Sequence, residues 1–402
     1  MSANTHARET TEPPGAWWVV AAAFCSLALI FGVSYSFAAF FADFSREFQV
    51  PRADVSWVFG LCGLVYFVLG VGGGLMADRW GPRRVGGVGM VLIAAGLWWT
   101  SQAQSLNVIY ATYGALVGLG IALVYTPAIA CVPPWFVARR GLAAGLASSG
   151  IGAGTLLGPL CVAAAIEAWG WRGALQWMAW GVLLLGLAVT SLLRQSPLAR
   201  AGAQGQAIGL TLAQAWRTPA FAWLYLGTLL GGPVMFIPFA HVSAAARDLG
   251  VEPARAVALV GVIGVGSLVG RFAIGPLADR WGRTTTLMVM QVSLGASYAL
   301  WYGAQGHAML VLFALWFGLS YGSMVSLYPA ICMDLFGPRS VSAIVGALYT
   351  AAALGNLLGP VMAGAMFDHS QSYEGVMGVC TLLSGLATWS LWRLSRVGKT
   401  LY

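Results

Sequence analysis

The sequence predicts an all-α membrane protein whose twelve transmembrane helices form two six-helix bundles. Of the 402 residues, 59% are hydrophobic and only 8% are charged, and the mean hydropathy is +0.77. Soluble domains carry about 25% charged residues, so this composition excludes that class. Apolar stretches of bilayer-spanning length, about 20 residues each, recur along the chain. The second half of the chain also repeats motifs of the first half, which indicates a duplicated unit.

Each transmembrane helix is predicted as a long apolar run with polar residues, glycine or proline at its ends. The first six runs cover residues 16–42, 54–77, 84–103, 107–132, 138–166 and 171–193. The last six cover residues 218–245, 254–277, 284–304, 307–333, 339–366 and 373–394. The two bundles therefore occupy residues 15–193 and 218–394. A linker rich in Gly, Ala and Gln joins them at residues 194–217. The linker and the two tails, residues 1–14 and 395–402, are the predicted cytoplasmic segments.

The placement of basic residues predicts the orientation. With both termini in the cytoplasm, fifteen of the 21 Lys and Arg residues lie in cytoplasmic segments and five lie in external loops. This bias agrees with the positive-inside rule. The arginines form no basic face, which argues against binding of nucleic acid. The expected location is a bacterial inner membrane, in which the chain spans the lipid several times, most simply as a monomer.

Three pairs of segments carry the internal repeat, at an offset of about 200 residues. GLMADRWGPRR, which begins at Gly74, matches GPLADRWGRTT, which begins at Gly275. GLGIALVYTPAIAC of the fourth span matches GLSYGSMVSLYPAIC of the tenth, and GTLLGP of the fifth matches GNLLGP of the eleventh. Parallel repeats of this kind are typical of transporters, whose substrate site lies near the bilayer midplane between the halves.

Arg271 is the one Lys or Arg residue in the interior of a span, because the others lie at span ends or in loops. It lies about 8 residues before Asp279, roughly 12 Å along a helix, so it is well inside a hydrocarbon core about 30 Å thick. An arginine there costs at least a few kcal/mol unless it faces a partner or a wet cavity, and it cannot lose its proton. Every carboxylate in the spans as drawn is terminal or in a loop. The counter-ion of Arg271 is therefore expected to be an anionic substrate, and the alternative is a set of backbone carbonyls and tyrosine hydroxyls.

The paired turns resemble the signature loop of the major facilitator superfamily. The resemblance implies a cytoplasmic gate in which the glycines allow close helix contact, the aspartates meet helix N-termini of the opposite half, and the arginines pair with acids or lipid phosphates. The alternative is a plain cytoplasmic turn that obeys the positive-inside rule. The candidate gating residues are Gly74, Asp78, Arg79, Arg83, Gly275, Asp279, Arg280 and Arg283.

The segment from Trp135 to Gly150, with an aromatic pair, two arginines and a glycine-rich run, resembles the fifth-span signature of monocarboxylate transporters. In that family the arginine of the eighth span pairs with the substrate carboxylate, and Arg271 occupies that position. Ser267 and Tyr35 stand where animal members carry an aspartate and a lysine. The resemblance therefore implies transport of a monocarboxylate but not the proton relay of those members.

Other polar residues within the spans are candidate substrate contacts. His241 lies in the outer half of the seventh span and changes charge near neutral pH, although a lone histidine in an apolar span is often structural. For the tyrosines and the asparagine, hydrogen bonding between helices is as good an explanation as substrate contact. Together with Arg271, the candidates are His241, Tyr35, Tyr125, Tyr321, Tyr328, Asn356 and Leu146.

The predicted function is secondary active transport of a small monoanion such as lactate or pyruvate, with a proton, by alternating access. One fixed cation favours a single carboxylate, and the alternative within transport is an organic-anion exchanger of the oxalate/formate type. A membrane-embedded sensor or enzyme belongs to a different class. No nucleotide loop, HExxH or GxSxG motif supports it, and no catalytic residue, metal or other cofactor is predicted. Membrane lipids are the expected surroundings.

Overall fold

The computed structural model describes residues 13, 15–136, 139–196, 209–337 and 339–397, apart from the side chains of residues 140, 141, 276 and 279. Within these ranges the secondary structure is helical. In the first half the helices are α1 (Ala16–Tyr35), α2 (Phe37–Phe48), α3 (Arg52–Trp80), α4 (Pro82–Ser101), α5 (Leu106–Ile109), a π-helical stretch (Tyr110–Val117), α6 (Gly118–Ala130), a 3-10 turn (Pro133–Trp135) and α7 (Arg140–Thr190). In the second half they are α8 (Leu212–Trp216), α9 (Pro219–Asp248), α10 (Pro253–Trp281), α11 (Arg283–Tyr302), α12 (His307–Phe336), α13 (Val341–Ser370) and α14 (Glu374–Val397).

These helices correspond to the twelve predicted spans. In the described part of the chain, nine stretches are long and apolar enough to cross a membrane. The stretch within α7 contains two spans, because Gly170 adopts φ 67° and bends the helix there. The 20-residue helices α4 and α11 complete the twelve. The prediction of an all-α, twelve-helix fold is therefore confirmed, and several helices extend a few residues beyond the predicted apolar runs.

The two repeated turns adopt the same backbone conformation. Gly81 ends α3 with φ 87° and ψ 146°, and Gly282 ends α10 with φ 82° and ψ 142°. Residues with a Cβ rarely adopt a positive φ of this size, so glycine is the residue that permits both turns. The sequence repeat is therefore also a structural repeat.

Helix packing follows the same repeat. In the first half α1 packs against α7 and α3 against α6, as α9 packs against α13 and α10 against α12 in the second half. Between the halves, α3 packs against α13 and α7 against α10, which are again equivalent pairs. Glycines permit close approach: a Cβ at Gly154 would lie 2.8 Å from the Gly32 nitrogen, so only glycine fits there. The interface between the halves is therefore formed mainly by the four long helices α3, α7, α10 and α13.

Candidate functional site

A small cavity of about 40 Å³ lies between the two halves. A water occupies about 30 Å³ in the liquid, so the cavity holds no more than a few small molecules of that size. Helices α1, α3, α6, α7, α9, α10, α12 and α13 all contribute to its walls. The lining residues are Phe31, Tyr35, Phe67, Tyr125, Ile151, Thr228, Met235, Phe236, Arg271, Tyr321, Val325, Tyr328, Tyr349 and Ala352.

Arg271 is the charged residue of this lining. Its Nε and Nη2 atoms are buried and make no hydrogen bond to any residue that the structure describes. The ion pairs found in the described ranges do not include it. Tyr35, Tyr125, Tyr321 and Tyr349 line the same cavity as Arg271. The expectation of an unpaired cation in the interior agrees with this geometry, and the site can neutralise one negative charge.

Two of the predicted tyrosines connect the halves directly beside Arg271. The hydroxyls of Tyr35 on α1 and Tyr321 on α12 are 2.9 Å apart and hydrogen bonded. The Tyr35 ring stacks on Phe239 with ring centroids 4.2 Å apart. Because this hydrogen bond spans the interface, it must break when the halves separate at this level and can re-form when they close.

Tyr328 and Thr228 add further polar groups to the cavity wall. The Tyr328 hydroxyl is buried and lies beside the Thr228 side chain. The Thr228 hydroxyl donates to the Leu224 carbonyl at 2.9 Å. A hydroxyl has one O–H donor and can also accept, so both groups can bind a ligand that enters the cavity. The cavity therefore offers hydrogen-bond donors around one cation, inside an aromatic wall.

The sequence interpretation missed Tyr349 and Thr228 as well as the aromatic wall formed by Phe31, Phe67 and Phe236. Tyr349 carried the same signal as Tyr321, a hydroxyl near the middle of an otherwise apolar span. The phenylalanines carried no such signal, because a phenylalanine in a span is equally compatible with a position facing lipid, the protein core or a cavity.

Three candidate contacts lie away from the cavity. His241 is fully buried in a different cluster, described below. Asn356 on α13 points its side-chain nitrogen at the Phe59 and Gly60 carbonyls of α3, each 3.4 Å away. Leu146 is half-buried and packs against the apolar core. The structure brings together Arg271 and the four predicted tyrosines, and it does not bring these three residues to them.

A second polar cluster joins the halves at the end that carries Arg52, here called the Arg52 end. Arg52 of α3 donates from Nη2 to Asp248 Oδ1 at 2.7 Å and from Nη1 to Asp248 Oδ2 at 2.8 Å. Nη1 also donates to the Tyr373 hydroxyl at 2.8 Å. The guanidinium lies 3.8 Å from the centroid of the Phe367 ring. Asp248, Phe367 and Tyr373 all belong to the second half, so Arg52 ties the first half to it.

Asp368 of α13 caps α3 from across the interface. Its Oδ1 accepts from the Arg52 backbone nitrogen at 3.0 Å and its Oδ2 from the Ala53 nitrogen at 2.9 Å. A carboxylate is favoured there because it satisfies free N–H groups and faces the positive end of the helix dipole. An acid meeting a helix N-terminus of the opposite half was expected at Asp78 and Asp279. The structure shows that interaction at the Arg52 end.

His241 belongs to this cluster at the Arg52 end. Its Nε2 lies 2.8 Å from the Pro360 carbonyl and 3.1 Å from the Ser56 hydroxyl, and its Nδ1 lies 2.9 Å from the Tyr373 hydroxyl. A carbonyl can only accept, so Nε2 carries the proton and Nδ1 accepts from Tyr373. Burial raises the pKa of Tyr373, which keeps its hydroxyl protonated and able to donate. The neutral imidazole therefore satisfies every partner.

The paired turns make no such contact. Asp78, Arg79, Arg83 and Arg280 are exposed, and the Asp279 side chain lies outside the described residues. Arg283 Nη1 pairs with Asp334 Oδ1 at 2.6 Å within the second half. A Cβ at Gly74 would touch Thr126 of its own half at 3.0 Å, and one at Gly275 would meet nothing within 4 Å. The expected close contact at Gly275 is therefore absent in this conformation. The hydrogen bonds between halves, as far as the chain is described, lie at the Arg52 end or in the middle.

In the part of the chain that the structure describes, no group of three His, Cys, Asp or Glu side chains could hold a metal ion. The cavity offers donors of hydrogen bonds and one positive charge, with no carboxylate or histidine in its lining. That combination is suited to holding an anion reversibly.

The sequence matches a known family over most of its length. The model of the Major Facilitator Superfamily matches residues 22–360 and 230–400. Monocarboxylate transporter 13 of Rattus norvegicus is 32% identical over 382 residues, which are 93% of this chain and 89% of that protein. Monocarboxylate transporter 11 of Mus musculus is 34% identical over 394 residues, which are 93% and 87% of the two chains.

Solved structures share the fold at low sequence identity. A D-xylose–proton symporter superposes with a TM-score of 0.75 at 14% identity, over 94% of this chain and 97% of that one. A bacterial homolog of the human lysosomal transporter Spinster gives a TM-score of 0.74 at 15% identity, over 96% and 98%. The chain is therefore a multi-pass membrane transporter, not an enzyme, and it belongs to the monocarboxylate transporter family of the Major Facilitator Superfamily.

Proposed function

We propose that the chain transports a small organic monoanion, with Arg271 binding the carboxylate. The observation that carries the proposal is the pair of buried guanidinium nitrogens, Nε and Nη2, that lack a partner in a cavity surrounded by hydroxyl groups. A planar guanidinium can hold a carboxylate by two parallel hydrogen bonds, and the pair is then neutral. The relatives named as monocarboxylate transporters support the same substrate class.

The empty and loaded sites differ in charge. Without a substrate, Arg271 is an uncompensated cation in the membrane interior, which disfavours crossing between states. With one carboxylate bound, the buried charge is cancelled. A dicarboxylate would leave a second negative charge, and the described lining of the cavity offers no second cation for it. Lactate- or pyruvate-like acids therefore fit the proposal better than oxalate.

The arrangement of the halves supports alternating access. The Arg52 end is closed by the Arg52–Asp248 ion pair and by hydrogen bonds. The opposite end, which carries the paired turns and is here called the Asp78 end, has exposed charges. The arginine bias of the sequence supports placing the Asp78 end, both termini and the linker at 194–217 in the cytoplasm. The bundles at 15–193 and 218–394 would then rock about the cavity, with the Arg52 cluster as the external gate and the paired turns as the cytoplasmic gate.

Transport by purified protein in proteoliposomes tests the proposal. Vesicles loaded with unlabelled lactate should accumulate labelled lactate by counterflow, and oxalate should compete weakly. Absence of counterflow for lactate, pyruvate and other short monocarboxylates would refute the substrate class.

Net uptake separates the two transport modes. Empty vesicles with an imposed pH gradient, acidic outside, should take up lactate if a proton moves with it. An exchanger would show counterflow but no net uptake without an internal anion. Because the described cavity lining holds no carboxylate and no histidine, symport would require the proton to move on water or on the substrate.

A further inference from the structure

The membrane-facing surface carries a groove of about 530 Å³ between α11 and α14. Its walls are apolar and include Met288 and Val292 of α11 and Trp389 and Trp392 of α14. At Gly385 a Cβ would meet nothing within 4 Å, so the groove is open along that helix. A groove of this size and composition on a transmembrane surface suits a hydrocarbon chain.

Two arginines lie at one end of this groove. The Arg396 guanidinium carbon is 4.9 Å from the centroid of the Trp392 ring. That of Arg393 is 5.9 Å from the Trp389 ring and 5.1 Å from the Trp223 ring. The two residues are three positions apart on α14, so they share one side of the helix. Both side chains are exposed, and neither forms an ion pair with an acid in the described ranges.

We propose that this groove binds an anionic phospholipid, with one acyl chain along Val292 and Gly385 and the phosphate between Arg393 and Arg396. A guanidinium held over an aromatic ring keeps its N–H groups free at its edge, where a phosphate can accept two of them. A zwitterionic lipid would bring a third cation beside two arginines that already lack a counter-ion. Charge complementarity therefore selects a lipid with net negative charge.

The position of the groove along the membrane normal also supports an anionic phospholipid as its occupant. The groove covers the first half of α11, which begins at Arg283 directly after the second paired turn, and the second half of α14, whose last turns carry Arg393 and Arg396. Tryptophan and arginine at this depth are typical of the boundary between hydrocarbon and headgroups. In the orientation proposed above this is the cytoplasmic leaflet, where anionic lipids and basic residues attract each other by about 1 kcal/mol per arginine.

Native mass spectrometry of the full chain in detergent tests the site. The lipid probes are dioleoylphosphatidylglycerol and dioleoylphosphatidylcholine, which have the same acyl chains, and glycerol phosphate represents the headgroup alone. The wild type should retain phosphatidylglycerol in preference to phosphatidylcholine and should not retain glycerol phosphate. Arg393→Gln/Arg396→Gln should bind phosphatidylglycerol roughly 30-fold more weakly. Gly385→Leu, whose Cβ would meet nothing within 4 Å and whose side chain would occupy part of the groove, should reduce retention of both lipids.

The control is Arg217→Gln/Arg339→Gln, which removes two exposed arginines from the same side of the protein and should leave the preference unchanged. An equal loss in the control would mean that bulk charge attracts the lipid, and the proposal would be wrong. Unchanged retention in Gly385→Leu would place the lipid elsewhere and overturn the site. A protein dimer in lipid-free detergent that Gly385→Leu dissociates would assign the groove to a second copy instead.

Discussion

Arg52 at the start of α3 and Asp248 at the end of α9 form a two-point ion pair between the halves, with donor–acceptor distances of 2.8 and 2.7 Å. Asp368 caps the same end of α3, also from the second half. In the alternating access proposed above, these contacts would have to break together when the Arg52 end opens. Since the described part of the Asp78 end has no equivalent contacts, this conformation is held mainly by the cluster around Arg52.

Replacing Arg52 should open this end. Arg52→Gln removes the ion pair and weakens the bond to Tyr373, and a partly exposed pair of this kind contributes about 0.2–1 kcal/mol. The population open at the Arg52 end should rise by up to about fivefold. A cysteine at Met235, which lines the cavity, reports the change by its rate of labelling with an impermeant maleimide added to cells, once the exposed Cys25 and Cys161 are replaced.

Arg172→Gln is the matched control for this prediction. Arg172 also pairs with an acid, Glu47, at 2.9 Å, but both residues belong to the first half. Its loss should leave the labelling rate unchanged. Equal rates in Arg52→Gln and the wild type would mean that the Arg52 cluster does not hold the end closed.

His241 should make this end sensitive to pH. Protonation puts an N–H on Nδ1, which can then no longer accept from Tyr373, and it adds a second cation near Arg52. The closed arrangement therefore favours the neutral ring, and lowering the pH from about 8 to about 5 should favour opening. Maleimide labelling at Met235→Cys, corrected for the intrinsic pH dependence of the reagent, should increase as the pH falls.

His241→Gln should flatten that pH profile, because an amide can donate to the Pro360 carbonyl but does not titrate. His369→Gln is the control, since His369 is exposed at the same end of α13. A profile that survives in His241→Gln, or disappears in His369→Gln, would remove His241 from the gate. Substrate affinity should change little in His241→Gln, because the residue lies outside the cavity.

The fit between Gly63 and Asn356 makes the closed packing of α3 and α13 sensitive to a single methyl group. A Cβ at Gly63 would overlap the Asn356 side-chain amide. Gly63→Ala should therefore destabilise the closed interface by about 1–3 kcal/mol and slow counterflow. Gly72→Ala in the same helix meets nothing within 4 Å and should transport normally. Gly63→Ala/Asn356→Ala should recover activity, and failure of this rescue would indicate a different cause of the defect.

The sequence predicted the fold well because lipid imposes a strong constraint. A spanning helix must be long and apolar, so each of the twelve runs could be recognised separately. Arg271 and the tyrosines Tyr35, Tyr125, Tyr321 and Tyr328 could also be selected, because a polar group in an apolar span stands out. The internal repeat also showed which helices of the two halves are equivalent.

The sequence could not show which polar residues meet. His241 and Asn356 had the same signal as the cavity tyrosines, but their rotation about the helix axis directs them to the Arg52 cluster and to α3. Arg52 and Asp368 resembled ordinary loop charges at span ends, and only tertiary packing brings them together. An aspartate can cap a helix of the other half at either end of the protein, and the end at which it does so depends on the conformational state. The amino-acid sequence does not show which state the protein adopts.

Asp78 should act in the opposite conformation. It is exposed here and forms no ion pair in the described part of the protein, so Asp78→Asn should leave this state intact. If Asp78 caps a helix of the other half when the Arg52 end is open, its loss weakens only that state, by about 0.3–1 kcal/mol. Labelling of Met235→Cys from the Arg52 side should then slow. Glu374→Gln, which neutralises another exposed acid, should have no effect, and faster labelling in Asp78→Asn would contradict the gate.

Arg271→Lys should abolish most transport although the charge is kept. A lysine is a single point of charge on a flexible stem and cannot present the two parallel donors that a carboxylate accepts. The loss of one charge-assisted hydrogen bond, about 1.5–3 kcal/mol, corresponds to a roughly 10- to 150-fold weaker interaction. Counterflow of labelled lactate should fall accordingly, with a higher half-saturating concentration. Arg255→Lys, at an exposed arginine that pairs with Glu252 at 3.4 Å, should transport like the wild type. Normal counterflow in Arg271→Lys would show that the carboxylate binds elsewhere, because the hydroxyls that remain in the cavity cannot replace the guanidinium.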